Sequence, residues 1–284
     1  MPELERAMRP SVLLFLAVLA IAAFAGNSLL ARAAIGGGSI DAGGYTLVRL
    51  ASGAAILLPV FVKRGLPRIS DLPGAFLLFV YAAGFSFAYI ALPAGTGALV
   101  LFACVQATIM VIGMARGERP GVAGLAGLVL ALAGVAWLIA PAASVPDDAF
   151  AAVLMAIAGV AWGIYTLLGR GAGDPARRTA ANFLIATPMA LVLVVVLGPH
   201  DLSDATTGGI WLAIVAGAIT SGLGYVAWYA VAPRLGLATV ATVQLATPVA
   251  AALIAAVTLA EPLTLRLAIA GAMIIGGIVL TLRK

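Results

Sequence analysis

Ten apolar stretches follow one another along the chain, separated by short connections. A helix rises 1.5 Å per residue, so roughly twenty apolar residues cross the hydrocarbon core of a bilayer. Hydrophobic residues make up 63% of the chain and charged residues only 10%, whereas a soluble domain carries roughly 25% charged residues. The sequence therefore predicts an all-α integral membrane protein. Its ten transmembrane helices lie near residues 11–34, 42–62, 74–92, 95–115, 121–140, 149–170, 178–198, 208–232, 237–260 and 263–282.

The basic residues between these spans fall mainly on one side of the membrane. If alternate connections share a side, one side carries thirteen Lys and Arg residues and the other only Arg32 and Arg266, while Arg49 lies inside the second span. Cytoplasmic loops are enriched in Lys and Arg. We therefore expect both termini in the cytoplasm, and the first span to be a retained helix of an inner-membrane protein rather than a cleaved signal peptide.

A weak internal repeat divides the chain near residues 141–148. A shift of 143 residues pairs Glu118 with Glu261. The same shift also pairs several Thr, Ala, Val and Gly residues of the fourth and fifth spans with identical residues of the ninth and tenth. The glutamate pair has weight because the chain contains only eleven acidic residues. Repeats with an odd number of spans are inverted and place a substrate site between them. We predict one five-helix repeat over 1–143 and a second over 144–284, around a central cavity.

This pattern resembles the EamA-type branch of the drug/metabolite transporter superfamily over essentially the whole chain. The matching residues are Gly26 and Asn27 in the first span, Arg49 in the second, Glu118 and Glu261 after the fourth and ninth, and Pro248. Val105 stands at the first-half position equivalent to Pro248, so a kink there would be confined to the second half. Among members, the chain is most similar to bacterial amino-acid exporters of the YddG type. The resemblance implies a ten-helix basket around a central cavity and export of small metabolites.

Acidic residues are absent from the core of every predicted span and fall in termini, connections or helix ends. Proton- and sodium-coupled carriers commonly place a carboxylate in mid-membrane, where it binds and releases the coupling ion. This absence favours an uncoupled carrier of a neutral or zwitterionic substrate. The alternative is coupling through neutral oxygens or through carboxylates in the loops.

Aromatic side chains form two stripes on the third and eighth spans, which are equivalent in the two repeats. They consist of Tyr81, Phe85 and Tyr89, and of Tyr225, Trp228 and Tyr229. Such stripes suit a cavity that stacks apolar or aromatic groups, although helix packing or an aromatic belt at the membrane interface would give the same pattern. By depth, we assign Tyr45, Trp137 and Trp211 to the belt.

The sixth span carries Trp162 and Tyr165 beside Gly159 and Gly163. Trp162 lies too deep for a belt residue, and its indole N–H needs a partner on the substrate or on a neighbouring helix. We expect the two glycines to open space beside its ring. Cavity lining is therefore favoured over core packing for Trp162 and Tyr165.

The deep polar side chains are three amides and one arginine. Asn27, Gln106 and Gln244 can hydrogen-bond a substrate without ionising, or can link helices as interhelical hydrogen bonds. For Arg49, we favour snorkelling toward the outer face beside Asp41 over the alternative of binding a substrate carboxylate.

Proline in mid-helix frees a carbonyl and permits a kink. Pro188 and Pro248 fall in mid-span and are candidates for gating kinks during transport. Static kinks would look the same in the sequence.

Together with the family resemblance, which implies export of metabolites such as amino acids, these features predict an inner-membrane exporter of small metabolites. Its foremost substrates would be amino acids with aromatic or apolar side chains, and it would work by alternating access as an uncoupled facilitator. Its partners would be the small-molecule substrate and the lipid bilayer, with no nucleic acid and no obligate protein partner. We expect no cofactor and no metal, because the chain has one Cys and one His, and we expect no catalytic residue. The alternatives are a broad-specificity multidrug exporter coupled to an ion gradient and a non-transporting membrane scaffold.

Overall fold

The computed structural model describes residues 9–92, 94–139, 149–170, 173–197, 204–258 and 264–282. Within these ranges it contains helices and short connections and no strand. The first five helices are α1 (Pro10–Ala31, continued by a π-helical turn Arg32–Gly36), α2 (Ala42–Arg64), α3 (Leu72–Ala91, preceded by a 3₁₀ turn Ile69–Asp71), α4 (Ala94–Ala115) and α5 (Val122–Ile139).

The second five helices include two that are irregular. They are α6 (Ala149–Arg170), α7 (Pro175–Leu197), α8 (Thr207–Arg234, π-helical over Ala216–Leu223), α9 (Leu237–Gln244 and Thr247–Thr258) and α10 (Leu265–Leu282). Seven of these helices are long and apolar enough over their described residues to cross a membrane, and α4, α5 and α9 contain shorter apolar helices. The predicted all-α membrane fold is confirmed.

Capping residues set several of these boundaries. The Asp41 carboxylate accepts a hydrogen bond from Gly44 N (2.8 Å) at the start of α2, and the Thr206 hydroxyl accepts one from Gly209 N (3.0 Å) at the start of α8. These bonds satisfy backbone donors that a helix N-terminus otherwise leaves free. Gly65 and Gly117 follow α2 and α4 with φ of 86° and 87°, a conformation that favours glycine.

The two halves pack mainly against each other. The principal helix pairs are α5 with α10, α3 with α6, α2 with α7, α4 with α6, and α1 with α8 and α9. A shift of every helix number by five relates the pair α3–α6 to α8–α1 and the pair α4–α6 to α9–α1. The division into two repeats stays a prediction. The predicted boundary at residues 143 and 144 lies outside the described residues.

Close crossings depend on glycine. A Cβ added to Gly127 on α5 or to Gly277 on α10 would lie 2.5 Å from the other residue's carbonyl oxygen. A Cβ on Gly217 of α8 would lie 2.0 Å from the Arg49 carbonyl oxygen on α2. Small residues allow membrane helices to approach closely and gain packing contacts, and here they bring α2 against the π-helical segment of α8.

Ion pairs join the halves at the end of the bundle where α2, α4, α6 and α8 finish, which we call the basic end. Arg64 pairs with Asp174 (2.8 Å), and Glu118 pairs with Arg170 (3.1 Å). Arg177 binds both carboxylate oxygens of the buried Asp71, at 2.8 and 3.0 Å. Each pair connects a first-half residue to a second-half residue. At the opposite end, Thr206 donates its N–H (2.8 Å) and its hydroxyl (3.1 Å) to the Ser39 carbonyl.

Candidate substrate cavity

A small cavity lies between the halves, among α1, α3, α4, α6 and α9. Its volume is about 30 Å³, room for one or two water molecules. Five of the predicted site residues are among those that line it, namely Asn27, Tyr81, Phe85, Trp162 and Gln244. Phe24, Ser28 and Thr247 also line it, and the sequence analysis did not single them out.

Trp162 is the centre of an aromatic cluster that extends beyond the cavity wall. Its ring centroid lies 4.7 Å from that of Tyr225, 4.8 Å from Tyr81, 5.5 Å from Tyr165 and 5.6 Å from Phe24. Aromatic pairs at such separations contribute roughly 0.5–1.5 kcal/mol beyond their buried area. The cluster draws rings from both halves, so any relative movement of the halves repacks it.

The indole N–H of Trp162 finds its partner on α9, where it donates to Gln244 Oε1 (2.8 Å). Gln244 is the last residue of the first segment of α9, and Thr247 begins the second segment directly before Pro248. The helix is thus interrupted just before the proline, whereas α4 runs unbroken past Val105 and α7 runs through Pro188. The Thr247 hydroxyl is buried beside the cavity and has no hydrogen-bond partner among the described residues.

Arg49 does not snorkel, and our preference for that orientation was wrong. Its side chain points into the protein, is 1% exposed, and donates from Nε to Ser221 Oγ (2.9 Å). Its Nη2 donates to the hydroxyls of Tyr225 (2.9 Å) and Tyr81 (3.5 Å), and its Nη1 has no partner among the described residues. Asp41 instead caps α2. The close α2–α8 crossing supplies acceptors inside the bundle, which the sequence pattern did not reveal.

Asn27 is linked to this arginine. Ser221 Oγ, in the π-helical segment of α8, donates to Asn27 Oδ1 over 3.4 Å. Segments of π-helix are often found at functional sites, and this one turns Ser221 between α1 and α2. No sequence pattern indicated Ser221 or the π-helical segment.

The remaining predicted residues lie around the cavity rather than on its wall. Tyr89 packs edge-on against Phe85 at 4.7 Å, and Tyr165 accepts a hydrogen bond from Asn182 Nδ2 (3.2 Å). Trp228 packs 5.8 Å from Phe24. The amide of Gln106 is buried on α4 and has no partner among the described residues.

Two other expectations are corrected. Gly159 and Gly163 do not open space beside Trp162, because their Cα faces pack on α4, where an added Cβ would lie 2.7 Å from Cys104 Cβ and 2.8 Å from Thr108 Cβ. Tyr45 is not a belt residue, because its side chain is fully buried. Trp137 and Trp211 are exposed on the outer surface of the bundle.

No cluster of His, Cys, Asp and Glu able to hold a metal ion occurs in the part of the chain that the structure describes. The single His lies outside the described residues.

The comparisons with known proteins agree with this architecture. A model of the EamA-like transporter family matches residues 149–283, which run from α6 to α10. The chain is 48% identical to the uncharacterized protein PA1977 of Pseudomonas aeruginosa over 225 residues, which cover 78% of this chain and 77% of that protein. The chain belongs to the EamA-like transporter family.

As an EamA-like protein, it is a multi-pass membrane transporter of the drug/metabolite type. A solved crystal structure of a protein has the same fold, with a TM-score of 0.79 at 20% sequence identity. The match covers 96% of this chain and 98% of that one. The names of these two proteins mention no substrate, so the resemblance to amino-acid exporters of the YddG type stays a prediction.

Proposed function

We propose that this EamA-like transporter exports small amphiphilic metabolites from the cytoplasm across the inner membrane, foremost amino acids with aromatic or apolar side chains. The observation that carries the proposal is the cavity between the halves, with Phe24, Tyr81 and Phe85 from the first half facing Trp162 from the second. Rings of this kind stack on apolar or aromatic groups. Ligand sites are commonly apolar with a few well-placed polar groups.

Neutral polar groups on the same wall suit the backbone of an amino acid. The side chains of Asn27, Ser28, Gln244 and Thr247 line the cavity, and amides and hydroxyls can both donate and accept hydrogen bonds. A zwitterion could thus be held without a carboxylate or a basic side chain in the cavity wall.

Alternating access is supported by the contrast between the cavity and the ends of the bundle. The cavity of about 30 Å³ is too small for an amino acid, so the rings must separate for a substrate to bind. The ion pairs at the basic end and the Thr206–Ser39 hydrogen bonds at the other end hold the halves together. Relative rocking of the halves would break one set of contacts while keeping the other.

The absence of Asp and Glu from the described parts of all ten helices supports transport without ion coupling. A proton-coupled carrier needs a group that gains and loses a proton during the cycle, and guanidinium groups stay protonated. Export would then follow the substrate gradient.

The test is flux by purified protein in liposomes against a panel of amino acids and cationic dyes. We expect efflux of phenylalanine and leucine that follows their own gradients and is unchanged when an imposed pH gradient is collapsed. Accumulation driven by a pH or sodium gradient alone would contradict the uncoupled mechanism. Absence of flux for every compound would instead favour a membrane scaffold.

The alternative of a multidrug exporter of cations has less support. Such a protein needs buried negative charge to attract its substrates. Among the described residues, the charged side chain buried in mid-membrane is instead a cation, Arg49. In the flux panel, faster transport of cationic dyes than of amino acids would favour this alternative.

A further inference from the structure

No acidic side chain among the described residues pairs with Arg49. Its hydrogen-bond acceptors are the neutral oxygens of Ser221, Tyr225 and Tyr81, and the described parts of the ten helices contain no carboxylate. A charged side chain buried in a membrane protein is costly and normally pairs with an opposite charge. The described residues therefore provide no counter-charge for Arg49, and a bound molecule would have to supply it.

One edge of the guanidinium is free to bind such a group. Nη1 is buried and has no partner within the described ranges, while Nε and Nη2 are held at 2.9 Å by Ser221 and Tyr225. Two neutral bonds thus fix the orientation of the guanidinium and leave its Nη1 donors unused. Guanidinium binds carboxylates strongly through paired N–H donors.

Only a layer of aromatic rings separates Arg49 from the cavity. Its guanidinium carbon lies 5.4 Å from the centroid of the Tyr81 ring and 5.6 Å from that of Phe85, and both rings line the cavity. Tyr81 holds Arg49 by the longest of its hydrogen bonds, 3.5 Å, so this contact is the weakest of the three. Because Tyr81 both binds Nη2 and lines the cavity, rotation of its side chain would open a path from the cavity to the guanidinium.

The break in α9 adds positive potential on another side of the same cavity. Thr247 begins a helical segment of 12 residues, and the N-terminus of a helix carries partial positive charge. The Thr247 hydroxyl is buried in the cavity wall and has no partner in the part of the chain that the structure describes. Two independent features thus give the cavity a preference for negative charge.

We propose that the transported molecule carries a carboxylate, and that this carboxylate binds the free Nη1 edge of Arg49 when Tyr81 moves aside. The inference rests on the proposed transport function and adds the residue that binds the carboxylate of the substrate. A monoanion matches the single charge of Arg49, whereas a phosphate dianion would leave surplus charge in an apolar cavity. The aromatic rings would then take the apolar part of the same molecule.

Four small probes differ in whether they carry a carboxylate, an amine or both. These are phenylalanine, 3-phenylpropionate, phenylalaninamide and phenethylamine, and their affinities are measured by thermal shift and tryptophan fluorescence of the purified protein in nanodiscs. We expect the two carboxylates to bind about tenfold or more tightly than the amide and the amine, the size of one lost charge-assisted hydrogen bond. Equal affinities for the four probes, or binding of none, would overturn the inference without any variant.

The Arg49→Gln variant should reduce the affinity of the carboxylates until all four probes bind within about twofold of one another. Arg266→Gln is the matched control, because Arg266 also lies over an aromatic ring, that of Trp137 at 4.7 Å, but on the outer surface. The control should keep the wild-type preference. An unchanged carboxylate preference in Arg49→Gln would overturn the inference. If that variant does not fold, Arg49→Lys replaces it, and the preference should weaken but persist.

Flux measurements distinguish this inference from the proposed function. Carboxylate binding that depends on Arg49, with no flux in liposomes, would keep Arg49 as a carboxylate-binding residue and contradict transport. Wild-type flux of phenylalaninamide as fast as that of phenylalanine would support transport and overturn the carboxylate role.

Discussion

At the scale of single residues, Trp162 contributes both an aromatic ring and a hydrogen-bond donor to the cavity wall. Its ring contacts Tyr81 and Tyr225 from different halves, and its N–H binds Gln244 at the break in α9. A buried indole without that acceptor would leave a polar group unsatisfied, which costs about 1–3 kcal/mol. The ring and the N–H can therefore be tested separately.

We expect Trp162→Ala to reduce flux of aromatic amino acids more than flux of alanine, because the stacking surface is lost while the rest of the wall remains. Trp162→Phe should keep most of the aromatic preference and lose only the hydrogen bond to Gln244. Flux in liposomes at matched protein levels checks both variants. Trp211→Ala, on the outer surface, serves as the control. Equal loss for all substrates would indicate a packing role for Trp162.

At the scale of elements, α8 departs most from a regular helix. Its π-helical segment lies against α2, and the crossing has no room for a side chain at Gly217. This close approach brings Ser221 within hydrogen-bonding distance of Arg49. The irregular helix is thus what keeps the arginine inside the bundle.

Gly217→Ala should therefore destabilise the protein even though alanine is the better helix former by about 1 kcal/mol. An added Cβ would lie 2.0 Å from the Arg49 carbonyl oxygen, so α2 and α8 must separate. Gly208→Ala, in the first turn of the same helix, is the control, since its nearest neighbour would be 3.8 Å away. Thermal unfolding in detergent should show a lower midpoint for Gly217→Ala only. Equal midpoints would mean that the crossing adapts easily.

At the scale of the whole molecule, the halves are held together by polar contacts at both ends and by aromatic packing between them. The pair Asp71–Arg177 is the most buried of the described ion pairs, with side-chain exposures of 1% and 10%, whereas Arg64 and Asp174 are 33–44% exposed. Buried pairs are costly to break, because one charge is left uncompensated, whereas exposed pairs contribute little.

We expect Asp71→Asn to destabilise the closed basic end by about 3 kcal/mol and to increase labelling of a cysteine placed on the cavity wall. Arg64→Ala, in the exposed pair, should change stability by less than about 1 kcal/mol. The readouts are thermal unfolding and the rate of thiol labelling from the basic side. Unchanged labelling in Asp71→Asn would argue against a gate at this end.

Both termini are expected in the cytoplasm, because the connections at the basic end carry most of the chain's Lys and Arg residues. A reporter active only in the cytoplasm and one active only in the periplasm, each fused after Lys284, check this orientation. Activity of the periplasmic reporter alone would reverse the topology. The ion-pair gate would then face the periplasm.

The sequence by itself determined the membrane class and the ten helices, and it predicted Tyr81 and Trp162 as cavity residues without excluding helix packing. The bilayer has the same thickness for every span, so each transmembrane helix can be recognised from the length and hydropathy of its own segment. The tertiary structure alone decided where Arg49 points, which helices occupy the space beside Gly159 and Gly163, and that Trp162 meets Gln244. Those outcomes depend on which residues a neighbouring helix presents at each crossing, and residues 49 and 221 or 162 and 244 are brought together only by packing of the two halves.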